Sequence, residues 1–394
     1  MSYTPDPQDQ WGDWDTPTVT APRSPQRTSP LGVYGQRPPA PSRPTPEQAP
    51  RKGPRFSTNG RSNIPRHRLA RWVVLAIVIA LLITLVVSVN RALAFGSAIS
   101  PQSPLSTQTG YVSGVDRVNV VVLGYGGAGH DGAYLSDSLM VMSLVPGDHA
   151  TTLVSVPRDI WAQVPPNSGQ YGKINTAFQD GMTNGYGNYS AGQMAGGLEA
   201  AAKVSDVTGL NVPYFMSINF QGFRSLVDSL GGVDVTVPTA FTARYPINDD
   251  PQINAGWKVI HFSAGPQHMN GEQAIEYARA RYVLSPASEG SDFARSARQQ
   301  LLIHAIADRL RSPAAWPGFS NAMDALQKAI YTNLSLADLS AYVLKLDLSH
   351  AKRIGLSNAN VLTDSTSSDG QSILLPQNGD WNTVKQYVSS GLAQ

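Results

Sequence analysis

Eighteen consecutive residues without a charge, Trp72 to Val89 (WVVLAIVIALLITLVVSV), split this chain into parts that must live in different surroundings. At 1.5 Å per residue a helix of that length reaches roughly 27 Å, close to the thickness of a hydrocarbon core. The run therefore predicts one transmembrane helix over residues 72–90. A buried soluble helix is the competing reading, but such helices are rarely apolar on every face for so long. Arg55, Arg61, Arg66, Arg68 and Arg71 precede the run, and only Arg91 follows closely. That excess predicts a cytoplasmic N-terminus and an extracytoplasmic C-terminal part in a single-pass cell-membrane protein. A cleaved signal peptide fits poorly, because the apolar core starts at residue 72 and exceeds the usual h-region. The small residues at 94–98 nevertheless offer a cleavage site.

Residues 1–71 are predicted to be a disordered, Pro-rich cytoplasmic tail. Residues 1–70 hold 14 of the 29 prolines and few aliphatic side chains, too few to offset the entropy of ordering. The tail is either a plain spacer or a segment for a partner or kinase, with Thr16, Thr18, Thr20 and Thr28 set among prolines. Its basic end would favour anionic headgroups in either case, making membrane lipid a partner. The chain has no cysteine, which excludes disulfides, thiolate catalysis and Cys-ligated metals. A formal charge of +2 says little by itself, and the local placement of arginine says more.

Beyond the apolar run, residues 91–114 read as a stalk or short helix with a polar link. Residues 115–310 read as the main folded domain, and 311–394 as a helical extension of it. Arg117 to Leu123, Leu139 to Leu144, Thr151 to Val156 and Val233 to Val237 are short β-branched or apolar runs closed by Gly or Pro, hence strands. Gly124–Gly132 and the Gly-rich stretch 181–192 read as loops. Helices are predicted over Met194 to Thr208, over Gln221 to Leu230, from Asn270 with Gln273 completing a capping box, from Asp292, near 320–330 and near 336–346. Strands interleaved with helices predict a single α/β domain, with a central mixed β-sheet flanked by helices.

Several polar residues stand where chemistry is possible. Asp137 lies between Ser136 and Ser138 at the mouth of a strand, and Asp131 six residues earlier in a Gly-rich loop. The two carboxylates either share one Mg²⁺, with Mn²⁺ as a substitute, or are turn residues. Arg158 leaves a strand behind Pro157. Arg279 and Arg281 lie two apart near a helix end. Arg295 and Gln299, four apart, share one helix face, with Arg298 beside it. Guanidinium groups from several elements would hold a pyrophosphate if they converge. The competing reading is salt bridging to Glu276, Asp292 and Asp308. No GxxxxGK[ST] or GxSxG occurs, and Gly124-x-Gly126-Gly127 is followed by a strand instead of a helix, so P-loop, hydrolase-elbow and Rossmann readings fail.

Taken in order, these segments resemble the LytR-CpsA-Psr family. They are VVVLGYGGAGHDG and LSDSLMVMSL within 120–144, VSVPRDIW at 154–161, GKINTAF at 172–178, INFQGFRSLVDSLGGVDVTVP at 218–238, GPQHMNGEQAIEYARARY at 265–282 and SDFARSARQQ at 291–300. The resemblance implies a single-span membrane enzyme that transfers a glycopolymer from a polyprenyl-pyrophosphate carrier to a peptidoglycan hydroxyl, forming a phosphodiester. It implies a metal-binding role for Asp137 and a catalytic role for Arg158 of the PRD motif and for Arg279 and Arg281 of the RxR pair. Asp292, Arg295 and Gln299 match a D-x-x-R-x-x-x-Q spacing, and Lys173 and Asn175 a site-shaping KIN segment. Two positions depart from the family pattern: Tyr125 stands where an aspartate is common, and Leu135 where an arginine is common. Asp131 is then the candidate for the second metal position.

The expected partners are thus a polyprenyl-pyrophosphate-linked glycopolymer and peptidoglycan, with no nucleic acid. The long Pro-rich tail favours an actinobacterial-type wall and arabinogalactan as the polymer, with teichoic acid and capsular polysaccharide as the other candidates. Water in place of the sugar hydroxyl would make a pyrophosphohydrolase, and loss of chemistry altogether a wall-polymer or lipid-binding scaffold.

Overall fold

The computed structural model describes residues 66–102, 105, 117–130, 132–249, 256–312 and 319–393. Residues 1–65 of the expected tail, Asp131, and residues 103–104 and 106–114 of the expected linker lie outside the described residues. Helix α1, Arg66–Ile99, carries the apolar run and continues past it without a break. Within it Ala76–Ile99 is long and apolar enough to cross a membrane, and Leu81, Ile83 and Leu85 are exposed. Arg91 therefore belongs to this helix and not to a separate stalk. The end of α1 is docked: Phe95 and Ile99 are buried.

The chain then forms β1 (Val118–Tyr125), β2 (Ser136–Leu144), β3 (Thr151–Val156), β4 (Trp161–Gln163) and β5 (Tyr171–Lys173). Helices α2 (Thr176–Asn184) and α3 (Gln193–Thr208) lead to β6 (Tyr214–Asn219), α4 (Phe220–Ser229) and β7 (Val233–Val237). Next come β8 (Phe241–Pro246), β9 (Trp257–Phe262), β10 (Gly265–Met269), α5 (Gly271–Arg279), β11 (Tyr282–Ser285) and α6 (Asp292–Arg311). The last tract holds α7 (Phe319–Ala329), β12 (Ile330–Thr332), α8 (Leu336–Lys345), β13 (Lys352–Gly355), β14 (Leu362–Thr366), β15 (Ser372–Pro376) and α9 (Trp381–Ala393). The expected helical extension thus corrects to a mixed tract. Its strands were hidden because β13 buries only Ile354, and its pairing partner lies some two hundred residues away.

The central sheet runs β12-β6-β1-β2-β3-β13 and is mixed. β1 is parallel to β6 and antiparallel to β2, β2 is antiparallel to β3, and β3 is parallel to β13. Four parallel strands, β1, β3, β6 and β13, therefore end on one side of the sheet, while β2 begins there. Alternate residues fill two cores, as the period of a strand requires. Val121, Leu123, Val141 and Val154 pack with Phe178 of α2, Ala200 and Val204 of α3, and Val384 of α9. Val120, Met140, Met142 and Leu153 pack with Tyr342 of α8, against Ile303 of α6. A third core under β7 and β8 holds Val235, Phe241, Tyr277 and Leu302.

The stretch expected as a loop at 181–192 is shortened by α2, which runs to Asn184. Gly181 sits in that helix because a Cβ there would lie 2.6 Å from the backbone of Ala195, so only glycine lets α2 and α3 approach so closely. The capping box of Asn270 and Gln273 is present at the start of α5.

Candidate active site

Open α/β sheets place ligands beyond the carboxyl ends of their parallel strands, and the expected site residues lie there. The first turn of β2 presents Asp137. Its neighbour Ser136 is fixed from below, because its backbone N–H and its Oγ both donate to the Asn175 carbonyl, at 3.0 and 3.1 Å. Arg158 follows the end of β3, and its Nη1 donates to Asp137 Oδ1 at 2.7 Å. Arg279 ends α5 and Arg281 follows it two residues on. Their Nη2 atoms stand 3.7 and 3.6 Å from the same carboxylate. Three arginines from two separate elements thus surround one carboxylate that is about a quarter exposed, 26%.

The electrostatics follow from this packing. Burial pushes the Asp137 carboxyl up, but Arg281, Arg158 and Arg279 outweigh it and hold the group below the ordinary carboxylate range. Asp137 is an anion at neutral pH, and the three guanidinium groups leave net positive charge for an anionic ligand. Lys173 is tied to Asp159 at 2.8 Å, and Asp159 lies 3.4 Å from Arg158 Nε, so the KIN segment holds the PRD segment in place.

Gln299 ties α6 to the sheet: its Oε1 accepts from Ser138 Oγ at 2.8 Å. Arg295, on the same face, is 8% exposed and lines two of the cavities described below. Arg298 corrects the expectation for that cluster. It is 2% exposed, its Nε donates to the Tyr277 carbonyl at 3.0 Å, its Nη2 to the Ala280 carbonyl at 2.7 Å and its Nη1 to Glu289. Its guanidinium lies over the Phe241 ring. Its donors are therefore committed to the final carbonyls of α5, which need partners at a helix end. Arg298 aims the RxR segment and does not face a ligand. Of Asp292, whose backbone begins α6, the side chain lies outside what is described.

Some residues at the site carry no sequence signal. Tyr245 Oη donates to Asp249 Oδ1 at 2.7 Å and accepts from Arg279 Nη1 at 3.2 Å. Asp249 in turn pairs with Arg224, which also binds Glu272 at 2.7 Å. Burial, first of all, pushes the Tyr245 phenol up, so it stays a neutral donor. Arg279 also lies 3.8 Å over the Phe220 ring, which fixes its plane.

Three cavities meet at Asp137. One of about 110 Å³ is mostly apolar, lined by Val122, Ile218, Phe223, Ile275 and Leu302 with Arg279 and Arg281 at its mouth. One of about 330 Å³ is cationic, lined by Arg158, Arg244, Arg279 and Arg281. A groove of about 520 Å³ runs beside α6 and reaches the C-terminal tract at Ser357, Asn358 and Asp364. Among the described residues no group of three or more His, Asp or Glu side chains gathers in a metal-binding cluster. Of the expected metal pair, Asp137 is placed at this junction and Asp131 lies outside the described residues. An ionised carboxylate facing all three cavities does fit a cation shared with a phosphate.

The family model described as LytR_cpsA_psr family matches residues 84–388. This chain belongs to that family. Other LytR-CpsA-Psr proteins similar to it include the polyisoprenyl-teichoic acid–peptidoglycan teichoic acid transferase TagU of Bacillus mycoides, 28% identical over 58% of this chain and 64% of TagU. TagV of Bacillus subtilis, with the same activity in its name, is 26% identical over 52% of this chain and 46% of its own length. The chain thus spans about half to two-thirds of the curated relatives it matches. Among solved structures, the crystal structure of B. subtilis TagV has a TM-score of 0.52 at 21% identity, covering 71% of this chain and 99% of the crystallised chain. The protein gbs0355 of Streptococcus agalactiae gives 0.52 at 25% identity, with 71% and 89% covered. These likenesses confirm the mixed α/β fold expected from the sequence.

Proposed function

We propose that this protein transfers a glycopolymer from a polyprenyl-pyrophosphate lipid to a hydroxyl of peptidoglycan. The observation that carries this is the meeting of an apolar slot and a cationic pocket at one ring of arginines around Asp137. An amphiphile with a long apolar tail and a pyrophosphate head matches that pair of cavities. The transferase names of TagU and TagV support the same reading. The apolar helix, with an excess of arginine before it, supports a membrane anchor with the site outside the cell.

In this mechanism Arg158, Arg279 and Arg281 bind the pyrophosphate oxygens and orient them, and Gln299 with Arg295 closes the inner side. A sugar hydroxyl oxygen forms a bond to the sugar-side phosphorus. The bond between that same phosphorus and the bridging oxygen breaks, and its electron pair leaves on the bridging oxygen, which becomes part of the departing polyprenyl phosphate. The hydroxyl proton passes to that departing phosphate, because Asp137 is too acidic to hold it. The arginines stabilise charge on the equatorial oxygens as it redistributes, which is the main demand of phosphoryl transfer. Mg²⁺ is the proposed cofactor, held by Asp137 with Asp131 as the second carboxylate, and it would neutralise phosphate charge. Arabinogalactan is the proposed polymer, resting on the Pro-rich tail, against the teichoic acid in the relatives' names.

The test is transfer from lipid-pyrophosphate donors carrying an arabinogalactan-type or a teichoic-type saccharide to a peptidoglycan fragment, titrated with Mg²⁺. Wild-type protein should form the phosphodiester, and D137A and D131A should each lower the rate at least about tenfold and weaken the Mg²⁺ response. Polyprenyl phosphate released without incorporation into the acceptor would make the protein a hydrolase. Binding of the donor with neither product would make it a scaffold.

A further inference from the structure

The Arg279–Arg281 pair lines the apolar slot and the cationic pocket, so one amphiphilic molecule can fill both. Neither arginine lines the third cavity, the 520 Å³ groove. That groove meets the other two only at the reacting centre, through Asp137, Arg158, Ser138, Arg295 and Gln299. Its volume lies within the roughly 300–1,000 Å³ of sites built for small ligands. We propose that this groove is the subsite for the second substrate, the saccharide that accepts the phosphoryl group. This assignment rests on the transfer reading above.

Besides Arg158, Arg295 and Arg353, the walls carry the hydroxyl and amide groups that suit a hydroxyl-rich occupant. Ser155, Ser296 and Gln300 line one side, and Ser357, Asn358 and Asp364 the other. Amide, carboxylate and hydroxyl groups supply both donors and acceptors, as vicinal sugar hydroxyls require. Two of the pairs are already set. Asn358 Nδ2 donates to Asp364 Oδ2 at 2.7 Å, and Gln300 Nε2 to Ser155 Oγ at 3.0 Å. Carboxylate and amide groups held in place before binding lower the ordering cost of capturing a sugar. The outer wall comes from the turn after β13 and from β14. The C-terminal tract therefore contributes to the site, because β13 pairs with β3 and ends beside Arg158.

The experiment uses the full chain in detergent, with a short polyprenyl-pyrophosphate disaccharide as donor and an uncrosslinked peptidoglycan disaccharide fragment as acceptor. Asn358 is exposed in a turn, so Asn358→Trp can obstruct the groove without entering the core. The KM for the acceptor should rise about tenfold or more, while the KM for the donor stays within about twofold. Asp364→Ala, a milder change, should raise the acceptor KM about threefold, which keeps the question decidable if the tryptophan variant misfolds. An unchanged acceptor KM in both variants, or a rise in the donor KM alone, overturns the assignment. Wild-type protein that transfers to no acceptor instead refutes the transfer reading itself. In that case, loss of fragment binding in Asn358→Trp by NMR titration would still support the groove as a saccharide site, and equal binding would overturn it.

Discussion

Two carboxylates mark the difference between the layer behind the sheet and the rim at its end. Glu199 of α3 is fully buried in the layer of α2, α3 and α9, with the Asp180 side chain as its polar neighbour. Its pKa is pushed up to about 8, by burial first and by Asp180 second. Asp137 at the rim is also shielded, yet three arginines keep it ionised. The same strands thus support a dry layer, where a charge is suppressed, and a hollow rim, where a charge is held open to ligands. Arginine, drawn to one place from α5 and from the end of β3, makes the difference.

The sharpest test of that contrast is to empty the rim. Replacing Arg279 and Arg281 together by alanine should cut transfer about a thousandfold, equivalent to about 4 kcal/mol. The urea midpoint should fall only modestly at neutral pH, through the lost contacts of Arg279 with Phe220 and Tyr245 and of both arginines with Asp137. Lysine at both positions should rescue only part of the rate, since it lacks the planar fork. A double alanine variant with normal transfer would erase the distinction between rim and layer.

The converse test empties the layer. Phe215 of β6 is fully buried beneath α3, where a Cβ on Gly197 would clash with its ring. Phe215→Ala should cost about 3 kcal/mol of stability, read as a lowered denaturant midpoint. The donor KM of the remaining folded protein should stay near wild type. A rise in KM matching the stability loss would mean that layer and rim are not separable.

The smallest expected effect sharpens the comparison at Glu199. A carboxyl whose folded pKa is raised binds its proton in the native state while the unfolded chain has already lost it. Stability should therefore fall as pH rises from about 4.5 towards 8. Glu199→Gln should flatten that slope and gain a few degrees in Tm at pH 8, with little change at pH 4. Asp137 has the opposite sign: its contribution is present above the ordinary carboxylate range and is lost only in stronger acid. A Glu199→Gln variant with the wild-type pH slope would remove the distinction between the two carboxylates.

Much of this organisation was legible in the residues. β1, β2 and β3 are runs of Val, Leu, Met and Thr that declare themselves, and α5 announces its start with Asn270 and Gln273. The short strands β4, β5 and β8 to β11 did not, because they alternate or are only three to six residues long, and their stability comes from pairing. The clustering of Asp137, Arg158, Arg279 and Arg281 could be expected from their motifs. Arg298 was misread for a physical reason: spacing places it near Arg295, but only the fold shows the carbonyls of α5 against it. Tyr245 and Asp249 belong to no motif, and their position depends on β8 folding back beneath Arg279.

The junction between α1 and the folded domain has a mechanical consequence. Thirty-four residues form one continuous rod, roughly 51 Å long, whose last turn is clamped by Phe95 and Ile99 in the body it supports. A tool mounted on a stiff mast works at one height and one attitude. In a chain anchored as proposed, lipid substrates would have to arrive by drifting in the plane of the bilayer. The catalytic rim would not swing out to search for them.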